Sequence, residues 1–523
     1  MKRKHIAVVF TVLFTYFLAL GLLVYAESFS PDASILSMKD ALWYSIVTLT
    51  TVGYGDLSPV TTAGKLIGAV FLLLSTSLVA LLVALVMTFG QVCSRLRLAM
   101  LQGRKWHIFS ALNTHTAQLA AEIMAETPQA VIIFPKDGEE KYKEAAAELK
   151  RKGAFFIRGS VAEILSLKKQ PQGSALFFMD ADGYGNYRDA LAFAGRQLDI
   201  YCQSGYQGAG TPYDIILFSA HEMCARLYWQ QHPLAADAES VVIIGGGSYA
   251  TALLEQALQV NVFSPQQSIK YHLFAEDESF TDMHPGLSQV LAVNCEKQDT
   301  DSLFVYTAPW QQHARIITEA DRVIICADED RQNLKNYSDI NRYFATKGSV
   351  HLKLSYALVD ADCFGADSSL YTPPLVMRSA LNSVAMAMHQ TYLDSTGSTG
   401  PLWRELSPFT RGSNISSADH LQTKIRILMG DDISTEITED ICRTAYDRYL
   451  ATRAEKADVY RRIEHIRWMR FHALHNWTYA TVRNNALRHH PSMVPFDRLK
   501  PADREKDDFA WQIMLQLADI LKK

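Results

Sequence analysis

Three groups of residues in this chain have the types and spacing to do chemistry. The first is Thr51-Val52-Gly53-Tyr54-Gly55-Asp56, which closes a segment that runs uncharged from Ala41 to Gly55. That segment is apolar but too short to cross a bilayer, so it can only dip in and return. Its two glycines suit unusual dihedrals, and irregular backbone at membrane depth is tolerated only where it lines a watery cavity. The chemistry on offer is that of bare peptide groups. The second group is Gly245-Gly246-Gly247-Ser248-Tyr249-Ala250, directly after the apolar run Val241-Val242-Ile243-Ile244. This reads as a strand, a Gly-x-Gly-x-x-Ala turn and a helix, in which Gly245 and Gly247 let backbone amides approach a pyrophosphate and Ala250 completes the turn. The next apolar run, Tyr271 to Ala275, ends at Glu276-Asp277, where a ribose-binding acid would sit. The third group lies between Arg443 and Lys523, where 16 Lys/Arg stand against 10 Asp/Glu and aromatics interleave with the bases. Cations pair with phosphate and rings stack on bases, so this mixture suits an anionic ligand with a flat ring. His465, Trp468, Trp477, Tyr479 and Arg483 are the candidate contacts there.

The elements that must hold these groups differ along the chain. Ile6 to Ala26 and Leu66 to Ser94 are uncharged runs, each enough for a helix to cross a hydrocarbon layer of roughly 30 Å. Val24-Tyr25-Ala26 could pass as a signal cleavage site, but the first run is longer than a signal core. Lys2, Arg3 and Lys4 precede it, and Arg95, Arg97, Arg104 and Lys105 follow the second run, which puts both ends in the cytoplasm. Asp40 is placed to start a short helix ahead of the first group. The first ninety residues carry five Lys/Arg and four acids, so nearly all the charge of this net -4 chain belongs to the remainder, which holds 46 bases and 51 acids. Nothing in that balance calls for a nucleic-acid partner. Seven cysteines, none in a Cys-x-x-Cys pair, argue against a disulfide scaffold.

After Arg104, short apolar strands alternate with helical stretches, the pattern of parallel α/β units. The pattern occurs twice. Residues from Ile108 to Ala117 align with the strand and turn around Ile243 at a constant offset of 133, with Leu112 and Thr114 where the later copy has Gly245 and Gly247. The first copy is therefore structural, with Gly183-Tyr184-Gly185-Asn186 in a loop. Scattered acids such as Asp328-Glu329-Asp330 form no dense cluster that would compel a calcium site. Ser, Thr, Gly and Pro are rich between 394 and 420, marking a linker.

Thr51-Val52-Gly53-Tyr54-Gly55 resembles the potassium-channel filter, and Lys4 to about Arg97 resembles the two-span potassium channels over its whole length, including Pro59 and Gly64. The resemblance implies permeant potassium held by the carbonyl oxygens of Thr51, Val52, Gly53 and Tyr54, with Gly55 and Asp56 at the outer mouth. Ser75 stands where many relatives have a hinge glycine. One chain supplies one filter strand, so a homotetramer follows. A pore followed by two α/β units resembles channels gated by regulator-of-potassium-conductance domains, here about residues 105 to 400. Glu464-His465-Ile466-Arg467-Trp468 through Asn476-Trp477-Thr478-Tyr479-Ala480, then His490 to Leu499, is similar to the ryanodine-receptor repeat, with Asn476 and Ala480 where that repeat has glycines.

The expected fold is multidomain: an α-helical two-span pore domain (1–97), two tandem α/β Rossmann-like domains (98–238 and 239–400), a linker (401–435) and a small, mainly α C-terminal domain (436–523). The expected function is a ligand-gated, potassium-selective channel of a bacterial inner membrane, multi-pass and not an enzyme. Its partners would be the lipid membrane and a small regulatory ligand, a nucleotide or cyclic dinucleotide, with NAD among the candidates. Two rivals are a membrane-anchored NAD(P)-dependent oxidoreductase and a nonconducting ligand-sensing scaffold. Neither explains the filter, and no acid/base pair suggests itself for hydride transfer.

Overall fold

The structure, a computed structural model, describes residues 3–50, 52–70, 102–166, 170–205, 211–397, 399–430 and 437–522, with the side chains of 3–13, 49, 395 and 396 excepted. It divides into two compact units, Met1–Gly103 and Arg104–Lys523. In the first, helix α1 (Arg3–Glu27) packs on the shorter α2 (Met38–Leu49) through Leu20, Leu23, Ile35 and Ala41. The helix α2 starts where expected, in a capping box. Ser37 accepts from the Asp40 amide at 3.3 Å, while Asp40 accepts from the Ser37 amide at 2.9 Å. Among the described residues no helix is long and apolar enough to cross a membrane. The side chains of α1 are described only from Phe14 onward, and the second apolar run, Ser75 included, lies outside the described residues from 71.

The second unit holds two parallel sheets. The first runs β1 (Trp106–Phe109), β2 (Val131–Pro135), β3 (Phe155–Ile157), β4 (Ala175–Phe178), β5 (Asp199–Gln203) and β6 (Ile215–Phe218), in spatial order β3-β2-β1-β4-β5-β6. Helix α3 (Thr114–Glu126) follows β1, and α4 (Ala220–Gln231) leads to the second sheet. There β7 (Ser240–Ile244) feeds α5 (Ser248–Val260). The remaining strands are β8 (Lys270–Phe274), β9 (Ala292–Val293), β10 (Ser302–Tyr306), β11 (Arg322–Ile325), β12 (Ser349–Lys353) and β13 (Asp362–Phe364). The order β13-β12-β11-β7-β8-β10-β9 repeats the first, with β9 added at one edge. This is the doubly wound Rossmann arrangement, twice. Helices cover both faces, so central strands such as Val131–Pro135 are buried along their length and read as continuous apolar runs.

Three expectations meet a different structure. Gly183-Tyr184-Gly185-Asn186 is the first turn of a helix, Gly183–Leu191, capped by Asp182 rather than left as a loop. The stretch expected as a linker is largely helical: α6 (Pro408–Asp419) begins with Ser407 as cap and Pro408 in its first turn, and α7 (Leu421–Met429) buries Leu421 and Ile425 completely. Thr423 donates to the Val260 carbonyl at 2.6 Å and the His420 ring lies 3.0 Å from the Val262 carbonyl, so this segment is fastened to the end of α5. The C-terminal segment is mainly helical, dominated by the 36-residue α8 (Glu439–Leu474), then the short pair β14 (Thr478–Tyr479) and β15 (His489–His490), and α9 (Met514–Leu521). It is not a separate module. Ala473, Leu474 and Met493 join the core of the Rossmann units, and Arg470 pairs with the fully buried Asp301 at 2.8 Å.

Candidate functional site

In the first unit the chain leaves α2 and turns back on it: the Val52 and Gly53 amides both donate to the Val47 carbonyl, at 3.1 and 3.2 Å. Gly53 and Gly55 have φ of +55° and +73°, a left-handed backbone that a Cβ would strain. Residues 52 to 56 are all exposed in the single chain, Val52 by 53% and Tyr54 by 70%. Thr51 lies outside the described residues. Two side chains that sequence reasoning passed over brace this loop. Trp43 donates through Nε1 to Asp56 at 2.9 Å and stacks parallel to Tyr54 at 6.3 Å, tying the end of the loop to α2. Glu27, fully buried at the end of α1, accepts from the amides of Val60 and Thr61 at 2.9 and 3.0 Å and from the Thr61 hydroxyl at 2.7 Å. A lone acid closing an apolar run was the available signal for Glu27. The arrangement holds a short stretch of open backbone between two fixed ends, which can offer carbonyl oxygens to a cation, and its one carboxylate, Asp56, is engaged by Trp43.

In the second unit the glycine turn sits at the topological switch point, where β7 and β11 adjoin. Gly245 has φ +140°, and a Cβ there would meet the Ala327 amide nitrogen at 2.5 Å, so close strand approach requires glycine. Gly247, at φ +89°, precedes α5, and Ala250 is buried beneath it. The Glu276 backbone lies beside the turn, 3.7 Å from where a Gly246 Cβ would be. The side chains of Glu276 and Asp277 are exposed, and Asp277 is used in its own turn, accepting from the Ser279 amide at 3.0 Å. The amides at the start of α5 are taken. Ser248 and Tyr249 each donate at 3.2 Å to a different oxygen of Asp328. A dinucleotide needs those amides for its pyrophosphate, so the turn as it stands does not fit one. In the first copy Asn113 caps α3 instead, accepting from the Thr116 amide and donating to the Met179 carbonyl, at 2.8 and 2.7 Å.

The C-terminal candidates are brought together. His465 packs against Trp468 with ring centres 5.7 Å apart, Trp468 against His472 at 3.8 Å and His490 at 5.0 Å, and Trp477 against His490 at 6.1 Å. Arg483 lies over the Trp477 ring at 5.8 Å, and Tyr479, half-exposed, pairs with His490 across β14 and β15. Burial pushes the His472 imidazole down to about 3 and lowers His465 and His490 too, so the cluster is neutral. Its rings fill their own interior and present Tyr479 and Arg483 at the rim. Much of the basic charge is spent internally: Lys424 and Arg467 converge on Glu464 at 2.7 and 2.5 Å, and Arg453 and Arg461 hold Asp508 at 3.0 and 2.7 Å. Among the described residues no three His, Cys, Asp or Glu side chains are grouped to hold a metal ion.

Comparison with known proteins finds a partial match. Residues 7–92 match the family model described as an ion channel. Over 85 residues the chain is 44% identical to a voltage-gated potassium channel of Aeropyrum pernix, covering 16% of this chain and 28% of that one. Over 82 residues it is 34% identical to potassium voltage-gated channel subfamily A member 4 of Homo sapiens, covering 14% and 13%. The match thus spans less than a third of these relatives' length. Among solved structures, GsuK bound to ADP aligns with TM-score 0.35 and 14% identity over 70% of this chain and 96% of that one.

Proposed function

We propose that this chain is one subunit of a tetrameric, potassium-selective channel in a bacterial inner membrane, with both termini cytoplasmic and the pore opened or closed by a small ligand on the second unit. The observation that carries the reading is the braced open backbone of residues 52 to 56, left-handed at Gly53 and Gly55, between two apolar runs. Four such strands around one axis would replace the water shell of a dehydrated cation; a single strand, exposed on every residue, cannot. The ion-channel match over residues 7–92 supports the same reading. Gating requires the ligand to bind one conformation of the second unit better than the other. The rim at Tyr479 and Arg483, with Trp477 buried beneath the Arg483 guanidinium, is the proposed ligand surface, suited to a nucleotide or cyclic dinucleotide through stacking on Tyr479 and one cation. The test is flux from proteoliposomes of the full chain. Potassium passes in preference to sodium, and Gly53→Ala abolishes the preference or the current; equal flux of both ions from the unaltered protein sinks the reading.

A further inference from the structure

We infer that the second Rossmann-like unit supplies its own anion to its glycine turn, the carboxylate of Asp328, and takes no dinucleotide pyrophosphate there. The start of a helix carries unpaired amides and the positive end of the helix dipole, and an anion settles both. Here the anion is already present and bidentate, one oxygen on the Ser248 amide and the other on the Tyr249 amide, at 3.2 Å each. Gly247 serves that carboxylate: a Cβ on Gly247 would collide with Asp328 itself. The glycine that a sequence motif assigns to phosphate approach is thus explained by an internal contact. The surroundings oppose a second anion as well. Glu276, Asp277, Glu278 and Glu329 are exposed on the two loops beside the turn, and Lys353, buried at the end of β12, is committed to Asp330 at 3.2 Å and to the Tyr249 ring at 4.3 Å. Like charge on the loops flanking the turn disfavours binding of a pyrophosphate. The first Rossmann-like copy reaches the same end with the neutral Asn113, so neither copy leaves its helix start open.

The inference rests on the channel reading only for its consequence, that the regulatory ligand binds away from the glycine turn. It is tested by calorimetric titration of NAD and of ADP into the detergent-solubilised full chain, its Asp328→Ala variant and its Gly246→Asp variant. Gly246 has no left-handed backbone and only the Glu276 amide and Ala275 Cβ nearby, so an acid there blocks the turn without strain. The unaltered protein is expected to show no binding at the turn up to the highest ligand concentration titrated, and Asp328→Ala to bind there with a Kd at least about tenfold below that limit once two amides are freed. Binding to the unaltered protein that Gly246→Asp leaves unchanged places the ligand elsewhere and upholds the inference. Binding that Gly246→Asp abolishes overturns it, as does an Asp328→Ala protein that melts cooperatively yet gains nothing. Potassium flux from the same preparations reports separately on the pore, so either idea can fail alone.

Discussion

The two Rossmann-like units share a strand order and differ in what they carry. The first turns from β1 into α3 through Leu112 and Asn113, a buried apolar side chain and a neutral cap. The second keeps three glycines, closes the turn with a carboxylate from another loop, and bears the α7–α8 segment on α5. The difference teaches that the glycine turn is not a requirement of the strand–turn–helix, since the first copy builds it without one. It is a requirement of the closer approach of β7 to the β11 loop. The second unit is also the anchored one, and breaking its anchors should cost more than altering either turn.

The largest effect is expected at Arg470. Arg470 and Asp301 are both almost fully buried, so Arg470→Met leaves a carboxylate inside the protein with only the Ile269 amide and Gln267 as partners. Removing one member of a buried pair costs about 3 to 5 kcal/mol, read as a lower unfolding midpoint and loss of hydrogen-exchange protection along α8. Arg470→Met combined with Asp301→Asn should recover part of it. If protection of β1 to β6 falls equally, the contrast between a loaded and an unloaded unit is wrong. Next comes Gly245→Ala. The left-handed φ and the 2.5 Å approach to Ala327 together predict a loss of about 2 to 3 kcal/mol, measured by denaturant unfolding; a change below about 0.5 kcal/mol would remove the close-approach argument.

A third effect belongs to the anchored segment. Asp507 faces the bare side of His465: the His465 Nε2 donates to the Val494 carbonyl at 2.8 Å, leaving Nδ1 towards Asp507 at 3.8 Å. Burial and the neighbouring Glu464 push the Asp507 carboxyl up to about 8, against the pull of Arg467 and Lys424, and Asp508 beside it is held by arginines. The folded protein therefore keeps a proton that the unfolded chain releases near 3.8. Stability from this group is complete below that value and is lost as pH rises through about 8, by about 1 kcal/mol between pH 7 and 8. Asp507→Asn should gain on the unaltered protein over that step in thermal melts, and parallel melting curves would refute the assignment.

How far these features were legible in the sequence depends on the range of the contact. Strand, turn and helix of each copy, and the helix start at Asp40, are local patterns and were readable. Asn113 before its helix was equally local. Asp328 was not, because it stands 80 residues from Ser248 and only the fold brings them together. The Ser/Thr/Gly/Pro composition at 394–420 suggested open chain, but Leu421, Ile425 and the buried His420 and Lys424 give that segment a core to join. The basic and aromatic C-terminal pattern suggested an open ligand site. Ring packing and internal ion pairs consume most of it, leaving Tyr479 and Arg483 outward.

The smallest effect separates the two helix starts themselves. Asn113 accepts from Thr116 within a reciprocal capping box and also donates to the Met179 carbonyl, so Asn113→Ala removes bonds on both sides of the turn. Its loss should cost about 1 kcal/mol or somewhat more. Asp328 is exposed, its two bonds are long, and water can replace a carboxylate at an open helix start, so Asp328→Ala should cost about half as much in low salt and less in high salt, where the helix-dipole contribution is screened. The comparison is made by urea unfolding of both variants at two ionic strengths. A salt-independent Asp328→Ala loss equal to that of Asn113→Ala would mean that Asp328 acts as a neutral cap does, and the charge argument for the second unit would fall.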